Sequence, residues 1–164
     1  SMLSKLIRPN NILEIGTYTG YSALCLAEGL RPEGQLHTIE INEELEDIQR
    51  RYFDQSPYAT QIISYIGDAL SLVPKMDLDF DLVFIDAGKT DYDTHFENSL
   101  KKMKPGGIIL SDNVLWSGKV ATTASPSDKA TKALQAYNKK LMQDPRGETV
   151  ILPVRDGLTL SRVR

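Results

Sequence analysis

Short apolar runs alternate along this chain with longer segments whose apolar residues recur at helical spacing. Residues 11–15 read as a strand ending at Gly16, and 21–29 as a helix closed by a glycine cap. Residues 35–41 give a second strand, followed by a helix over 43–53 with Asn42 as its N-cap. Residues 61–66 predict a third strand, and 69–73 a short helix before Pro74. The run 80–85 is a fourth strand leading into a helix over 91–103. A Lys104-Pro105-Gly106-Gly107 turn then feeds a strand that ends at Asp112. Residues 127–142 make a last long helix, capped near Ser127 or Asp128. The end differs, because two strand-like runs, 149–154 and 158–163, flank Arg155-Asp156-Gly157. Asp-Gly between strands signals a tight hairpin, so the final strand should be antiparallel to its neighbour. The pattern predicts an α/β fold with a mostly parallel sheet closed by one antiparallel C-terminal strand. Internal repeats, low-complexity tracts and interdomain linkers are absent.

Composition narrows the classes. A chain of 164 residues, 41% hydrophobic and 25% charged, has the make-up of one globular domain. A net charge of −3 gives no broad electrostatic footprint for nucleic acid, and the basic pairs Arg50-Arg51, Lys101-Lys102 and Lys139-Lys140 read as solvated helix faces. No apolar run approaches the roughly 20 residues that span a bilayer, and no signal-peptide pattern is seen, so no membrane partner is expected. Cys25, the single cysteine, cannot form an internal disulfide and reads as a small buried core residue. A reducing, cytoplasmic setting fits this composition.

The candidate chemistry sits at strand ends. In an open parallel sheet the carboxyl ends of the strands form the ligand crevice. Asp86 follows the fourth strand and Asp112-Asn113 ends the fifth, so two carboxylates and an amide would gather at one mouth, with Lys89 three residues beyond the first. These hard oxygen donors suit Mg²⁺, Ca²⁺ or Mn²⁺ better than zinc. Read alone, Asp86 could equally cap a strand and Asp112-Asn113 form a turn. Gly16 and Gly20, four apart, let the backbone turn sharply and approach a ligand. Their spacing is not the G-x-G-x-x-G of a dinucleotide site. Glu40 ends the second strand, where an acid can accept both hydroxyls of a ribose. Asp68 ends the third strand and could accept from an adenine amino group or cap the helix after it. Glu14 lies inside an apolar strand and needs a partner, either a ligand ammonium or a buried hydrogen-bond network.

Together these segments resemble the class I S-adenosylmethionine-dependent methyltransferases with their Rossmann-like fold. More narrowly, the chain is similar to the cation-dependent O-methyltransferases, the group of catechol and caffeoyl-CoA O-methyltransferases. The likeness spans ILEIGTYTGYS, TIEIN, YIGDA, FIDAGKTDY, ILSDNVLWSG and PVRDGLTL, nearly the whole chain. The resemblance implies Asp86, Asp112 and Asn113 as ligands of a divalent cation (Mg, Mn or Ca) and Lys89 as general base, with Asp86 also at the reacting centre. It implies an S-adenosylmethionine site made by Glu14, Gly16, Tyr18, Tyr21, Ser22, Glu40, Asp68, Ala69 and Asp86. The implied reaction is methylation of a hydroxyl on a small catechol-like or hydroxycinnamoyl-type aromatic. A phenol has a pKa near 10, so metal assistance would be needed to raise the nucleophile at neutral pH. Lys89 would take the proton once nearby metal charge disfavours its ammonium form.

Other readings stay open at this point. A hydroxylated tRNA base could replace the catechol, although the acidic balance disfavours RNA. A nucleotide-dependent oxidoreductase is disfavoured by the glycine spacing, and an aspartyl phosphatase by Gly88 where a second acid is usual. A non-catalytic cofactor-binding module is a third alternative, and a homodimer is compatible with all of them. Tyr92 and Trp116 could wall an aromatic substrate or be ordinary packing, and His37 and His95 read as structural. Gly16 arrives after fifteen residues, whereas the resembled enzymes carry several dozen more that form a helical cover. A single methyltransferase domain over 1–164 that lacks this cover is therefore expected, with the sulfonium end of the cofactor exposed.

Overall fold

A computed structural model describes residues 1–164. Seven strands form one sheet in the order β3-β2-β1-β4-β5-β7-β6. They are β1 (Asn11–Ile15), β2 (Gln35–Glu40), β3 (Ile62–Ile66), β4 (Phe80–Ile85), β5 (Met103–Asp112), β6 (Gly147–Leu152) and β7 (Leu158–Val163). β1 to β5 run parallel, and β7 lies antiparallel between β5 and β6. The helices are α1 (Met2–Ile7), α2 (Tyr21–Ala27), α3 (Glu46–Asp54), α4 (Ala69–Leu72), α5 (Tyr92–Leu100) and α6 (Lys129–Gln143).

Side chains alternate across β1 and fill two cores. Leu13 and Ile15 face a cluster with Val83, Ile109, Phe96 and Tyr137, while Ile12 packs with Leu36, Leu82, Leu26 and Phe53 on the other face. Central strands covered on both faces need apolar residues at nearly every position, which is why they read as continuous runs. Asp128 caps α6 as expected, accepting from the backbone N–H of Thr131 at 3.0 Å. Asn42 instead accepts from the Glu44 N–H at 3.1 Å to cap a short 3-10 turn over Glu43–Leu45 that precedes α3, whose own N-cap is Leu45.

Four local expectations change. The helix over 21–29 stops at Ala27, with Glu28 in right-handed geometry, so Gly29 is no left-handed cap. Gly29 is instead a contact point, since an added Cβ would collide with the backbone of Ser4 in α1. The helix expected over 91–103 ends at Leu100, because Met103 already pairs with Phe80 as part of β5. The Lys104–Gly107 stretch is consequently a bulge within β5, where the register jumps between the Phe80–Met103 and Leu82–Ile108 pairs. The β6–β7 connection spans residues 153–157, longer than the tight hairpin that Asp-Gly suggested, with Arg155 and Gly157 both at positive φ.

Candidate functional site

An acid stands at the end of four of the five parallel strands: Glu40, Asp68, Asp86 and Asp112. The sheet order lines them up along one edge, and all four border a single cavity of about 1100 Å³. Between them, β1 delivers the loop from Gly16 to Gly20. Gly16 has φ +96°, and a Cβ there would run into the Asp86 carbonyl. Only glycine lets the β1 loop pass so close to the end of β4.

The loop is held from behind. Both oxygens of the Glu40 carboxylate are engaged, one by the Tyr18 N–H at 2.8 Å and the other by the Asn42 N–H at 2.9 Å. Each oxygen retains a lone pair, so the same carboxylate can still accept from a ligand. Gln49 donates to the Tyr18 carbonyl at 2.7 Å. Tyr18, itself at φ +49°, therefore stands out from a pinned backbone, and its ring is exposed beside Tyr21 and Ile41. These apolar groups rim the cavity. Asp68 caps α4 through Leu70 N–H at 2.9 Å, so its structural role is real, and it also borders the cavity with Ala69 and His95. Burial holds His95 below the usual imidazole range, opposed by Asp91 and Asp68, which favours a neutral ring on this wall.

Glu14 lies deeper. It is fully buried and does not border the cavity, whereas Thr17 and Ser22 do. Thr38 Oγ1 donates to Glu14 Oε2 at 2.5 Å, and the Thr17 hydroxyl meets Thr38 Oγ1 at 2.5 Å. Glu14 thus reaches the cavity through a chain of two hydroxyls. Its Oε1 has no hydrogen-bond partner. Burial pushes its carboxyl up to about 7, with Ser22 and Thr38 pulling the other way. Ser22 lies near enough to act on Glu14 but makes no hydrogen bond of good geometry to it.

Beside the ends of β4 and β5, several oxygens converge on one nitrogen. Lys89 Nζ lies 3.1 Å from Asp86 Oδ1, 3.1 Å from Asn113 Oδ1 and 3.3 Å from the Asp112 carbonyl, and it also donates to the Tyr92 hydroxyl. An ammonium has three N–H groups for these four oxygens. Asn113 reaches the cluster from φ +57°, a conformation that asparagine tolerates better than most residues. Burial raises the Asp112 carboxyl above its usual range; its own neighbour's N–H (Asn113, 2.7 Å) opposes this, and Asp86 adds to it.

This arrangement fits a small divalent cation. The donors around Lys89 Nζ are hard oxygens, one on the Asp86 carboxylate, one on the Asn113 amide and one the Asp112 main-chain carbonyl, and Lys89 shows that a positive charge is accommodated among them. No three His, Cys, Asp or Glu side chains converge as a metal cluster, so a cation here would depend on the Asn113 amide and the Asp112 carbonyl beside the Asp86 carboxylate. With no His or Cys among them, the donors are not of the zinc type.

The sequence-derived site is largely gathered here. Gly16, Tyr18, Tyr21, Ser22, Glu40, Asp68, Ala69, Asp86 and Asp112 all border the cavity, whereas Glu14, Lys89 and Asn113 stand behind its wall. Tyr92 is core rather than substrate wall: it is fully buried, donates to the Asp112 carbonyl at 2.8 Å and packs edge-on against Tyr137. Trp116 is half-buried, with Lys89 Nζ 5.9 Å from its ring centre. His37 is structural as expected, paired with the Tyr65 hydroxyl at 3.0 Å. His95 and Cys25 depart from expectation. Both border the cavity, and Cys25 is only half-buried, because α2 turns that side toward the crevice. Ile41 and Arg155, also on the cavity, lie within the TIEIN and PVRDGLTL segments but had no expected site role of their own.

A family model described as O-methyltransferase matches residues 1–164. A caffeoyl-CoA O-methyltransferase of Petroselinum crispum is 38% identical over 173 aligned residues, covering 99% of this chain and 72% of the relative. Caffeoyl-CoA O-methyltransferase 2 of Eucalyptus globulus is 36% identical, covering 99% and 70% respectively. Among solved structures, the O-methyltransferase TomG of Streptomyces achromogenes, involved in tomaymycin synthesis and crystallised with SAM, superposes with a TM-score of 0.92 at 30% identity, covering 99% of this chain and 76% of that one. An O-methyltransferase from Bacillus cereus in complex with SAH gives 0.92 at 30% identity, covering 99% and 78%.

Proposed function

The chain belongs to the O-methyltransferase family, and from that premise we propose that it transfers a methyl group from S-adenosylmethionine to a hydroxyl of a catechol-like aromatic, assisted by a divalent cation. The single observation that carries the metal and the substrate class is the convergence of the Asp86 carboxylate, the Asn113 amide oxygen and the Asp112 main-chain carbonyl at the mouth of β4 and β5, with the Asp112 carboxylate on the adjoining cavity wall. These residues would hold the cation. When bound, it would supply Lewis acidity and lower the pKa of a hydroxyl beside it. The sulfonium of S-adenosylmethionine supplies the methyl group.

The chain's own residues do the rest. Glu40 offers acceptors for the two ribose hydroxyls, and the exposed rings of Tyr18 and Tyr21 give the nucleoside and its tail an apolar rim. Glu14 orients the Thr17 hydroxyl at the cavity through Thr38. Asp86 ties the two half-sites together, since it follows β4 beside the Gly16 loop and also belongs to the oxygen cluster. Lys89 is the basic side chain at that cluster; as a neutral amine, the form that a cation bound beside it would favour, it would accept the proton that the substrate hydroxyl gives up. Tyr92 stays a neutral phenol, its ionisation suppressed by burial and by Asp86 and Asp112, and it fixes Lys89 in place. Attack of an oxyanion on a sulfonium cancels charge, so an apolar, oriented site favours it.

The test is methyl transfer to catechol by metal-stripped protein. Activity should vanish after chelation and return with Mg²⁺ or Mn²⁺, while Asn113→Ala should weaken Mn²⁺ binding measured by electron paramagnetic resonance. Full turnover in protein verified to be metal-free would remove the cation from this reading.

A further inference from the structure

The cavity is strongly one-sided in charge. Five carboxylates border it (Glu40, Asp68, Asp86, Asp91 and Asp112) against Arg155 and the buried imidazole of His95, with Lys89 pairing Asp86 from behind the wall. Arg155 is exposed and makes no ion pair or side-chain hydrogen bond within the chain. It has φ +54°, unusual for a long side chain, so its surroundings hold it there.

Those surroundings are the oxygen cluster's own loop. Asp156 accepts the Ser117 N–H through its side chain at 2.6 Å and the Leu115 N–H through its carbonyl at 2.9 Å. The Gly157 carbonyl accepts the Val114 N–H at 3.1 Å, and Leu158 pairs with Asp112 across the β5–β7 ladder. Arg155 is therefore clamped at a fixed offset from Asp112 and Asn113. It stands at the β5–β7 side of the cavity, away from Glu40 and Asp68 at the β2–β3 side.

We propose that Arg155 is a specificity-determining residue that selects catechols carrying a carboxylate on the ring or on a short side chain. This rests on the preceding reading that a catechol hydroxyl reacts at the Asp86–Asp112–Asn113 cluster. A substrate anion entering a cavity of five carboxylates is otherwise repelled, and an unpaired guanidinium can take a carboxylate in bidentate fashion. Neutral catechols gain nothing from it.

The experiment compares kcat/KM for 3,4-dihydroxybenzoate, 3-(3,4-dihydroxyphenyl)propanoate, catechol and dopamine in the parent, Arg155→Gln, Arg155→Lys and Arg155→Glu, with S-adenosylmethionine affinity measured alongside. The parent should prefer at least one acid over catechol. Arg155→Gln should lower that ratio about tenfold, mainly through KM, Arg155→Lys should keep part of it, and Arg155→Glu should shift preference toward dopamine. A parent that methylates catechol with no preference for either acid overturns the proposal and leaves the methyltransferase reading standing. So does an acid-to-catechol ratio that is the same in all four proteins, or a loss that tracks weakened S-adenosylmethionine binding. A parent that methylates none of the four overturns the catechol reading and this proposal with it.

Discussion

Replacing Glu14 by glutamine should change how stability depends on pH, and by an amount the structure fixes. The Glu14 carboxyl titrates at about 7 in the fold against an ordinary 4.5, chiefly because it is buried with one oxygen unpartnered. A folded-state pKa raised above the unfolded value gives stability that is fully present below 4.5 and lost as pH rises through about 7. Over that window the loss is on the order of 3 kcal/mol. Glutamine keeps the shape and can accept the Thr38 hydrogen bond, but it cannot ionise. Its amide N–H₂ meets only the Ser22 hydroxyl, at poor geometry, which adds a constant cost of roughly 1–3 kcal/mol that does not vary with pH. The diagnostic is therefore the slope and not the offset. Urea unfolding of parent and variant without ligand, followed by Trp116 fluorescence from pH 4.5 to 8, isolates Glu14. Titration of Asp112, His37 and His95 is common to both proteins and cancels in the difference. The variant should gain on the parent by about 3 kcal/mol across the window and hold that gain above it. A difference flat to within about 0.5 kcal/mol would mean that Glu14 titrates normally, and the argument from its unpartnered oxygen would fall.

Glu40→Ala should weaken S-adenosylmethionine binding by roughly ten- to a hundredfold, the usual cost of losing a charged acceptor; equal affinities by calorimetry on folded protein would exclude Glu40 as the ribose anchor. Arg146 pairs with Glu97 and Asp144, holding both carboxyls down at about 2. Their depressed values make this stabilisation present above about 4.5 and lost as pH falls toward 2. Arg146→Ala should therefore cost roughly 1–2 kcal/mol at pH 7, kept small by the exposure of the arginine, and nothing near pH 2. A cost independent of pH in urea titrations would count against the network.

Much of the fold was legible because buried parallel strands have no polar face to hide. The runs 11–15 and 80–85 match β1 and β4 to the residue. The misreadings arose where a local pattern has two physical causes. Gly29 looked like a helix cap, yet its missing side chain makes room for Ser4, far away in sequence. Lys104-Pro105-Gly106-Gly107 looked like a turn, yet the β4 pairing on both sides makes it a bulge. In the site, the strand-end acids could be read because topology alone brings them together. Tyr92 could not: its place beneath Lys89 depends on how α5 packs on β5, which no spacing encodes. Cys25, His95 and Arg155 were hidden for the same reason, since a helix face or loop turns toward the cavity only once the sheet is assembled.

The position of β7 between β5 and β6 has a consequence for the order of synthesis. β5 carries Asp112, but one edge of it is paired only by residues 158–163. On the ribosome that edge stays open until some fifty further residues have been made, which exposes an apolar template to strand addition from other chains. The clamp from Asp156 and Gly157 onto residues 114–117 arrives at the same late moment. The nucleoside half of the crevice, built from β1 to β4, can form earlier in translation than the half that holds Asp112 and Asn113. A nascent chain stalled before residue 158 should therefore be the species most prone to aggregate, and chaperone demand for this protein should peak there rather than during synthesis of its first five strands.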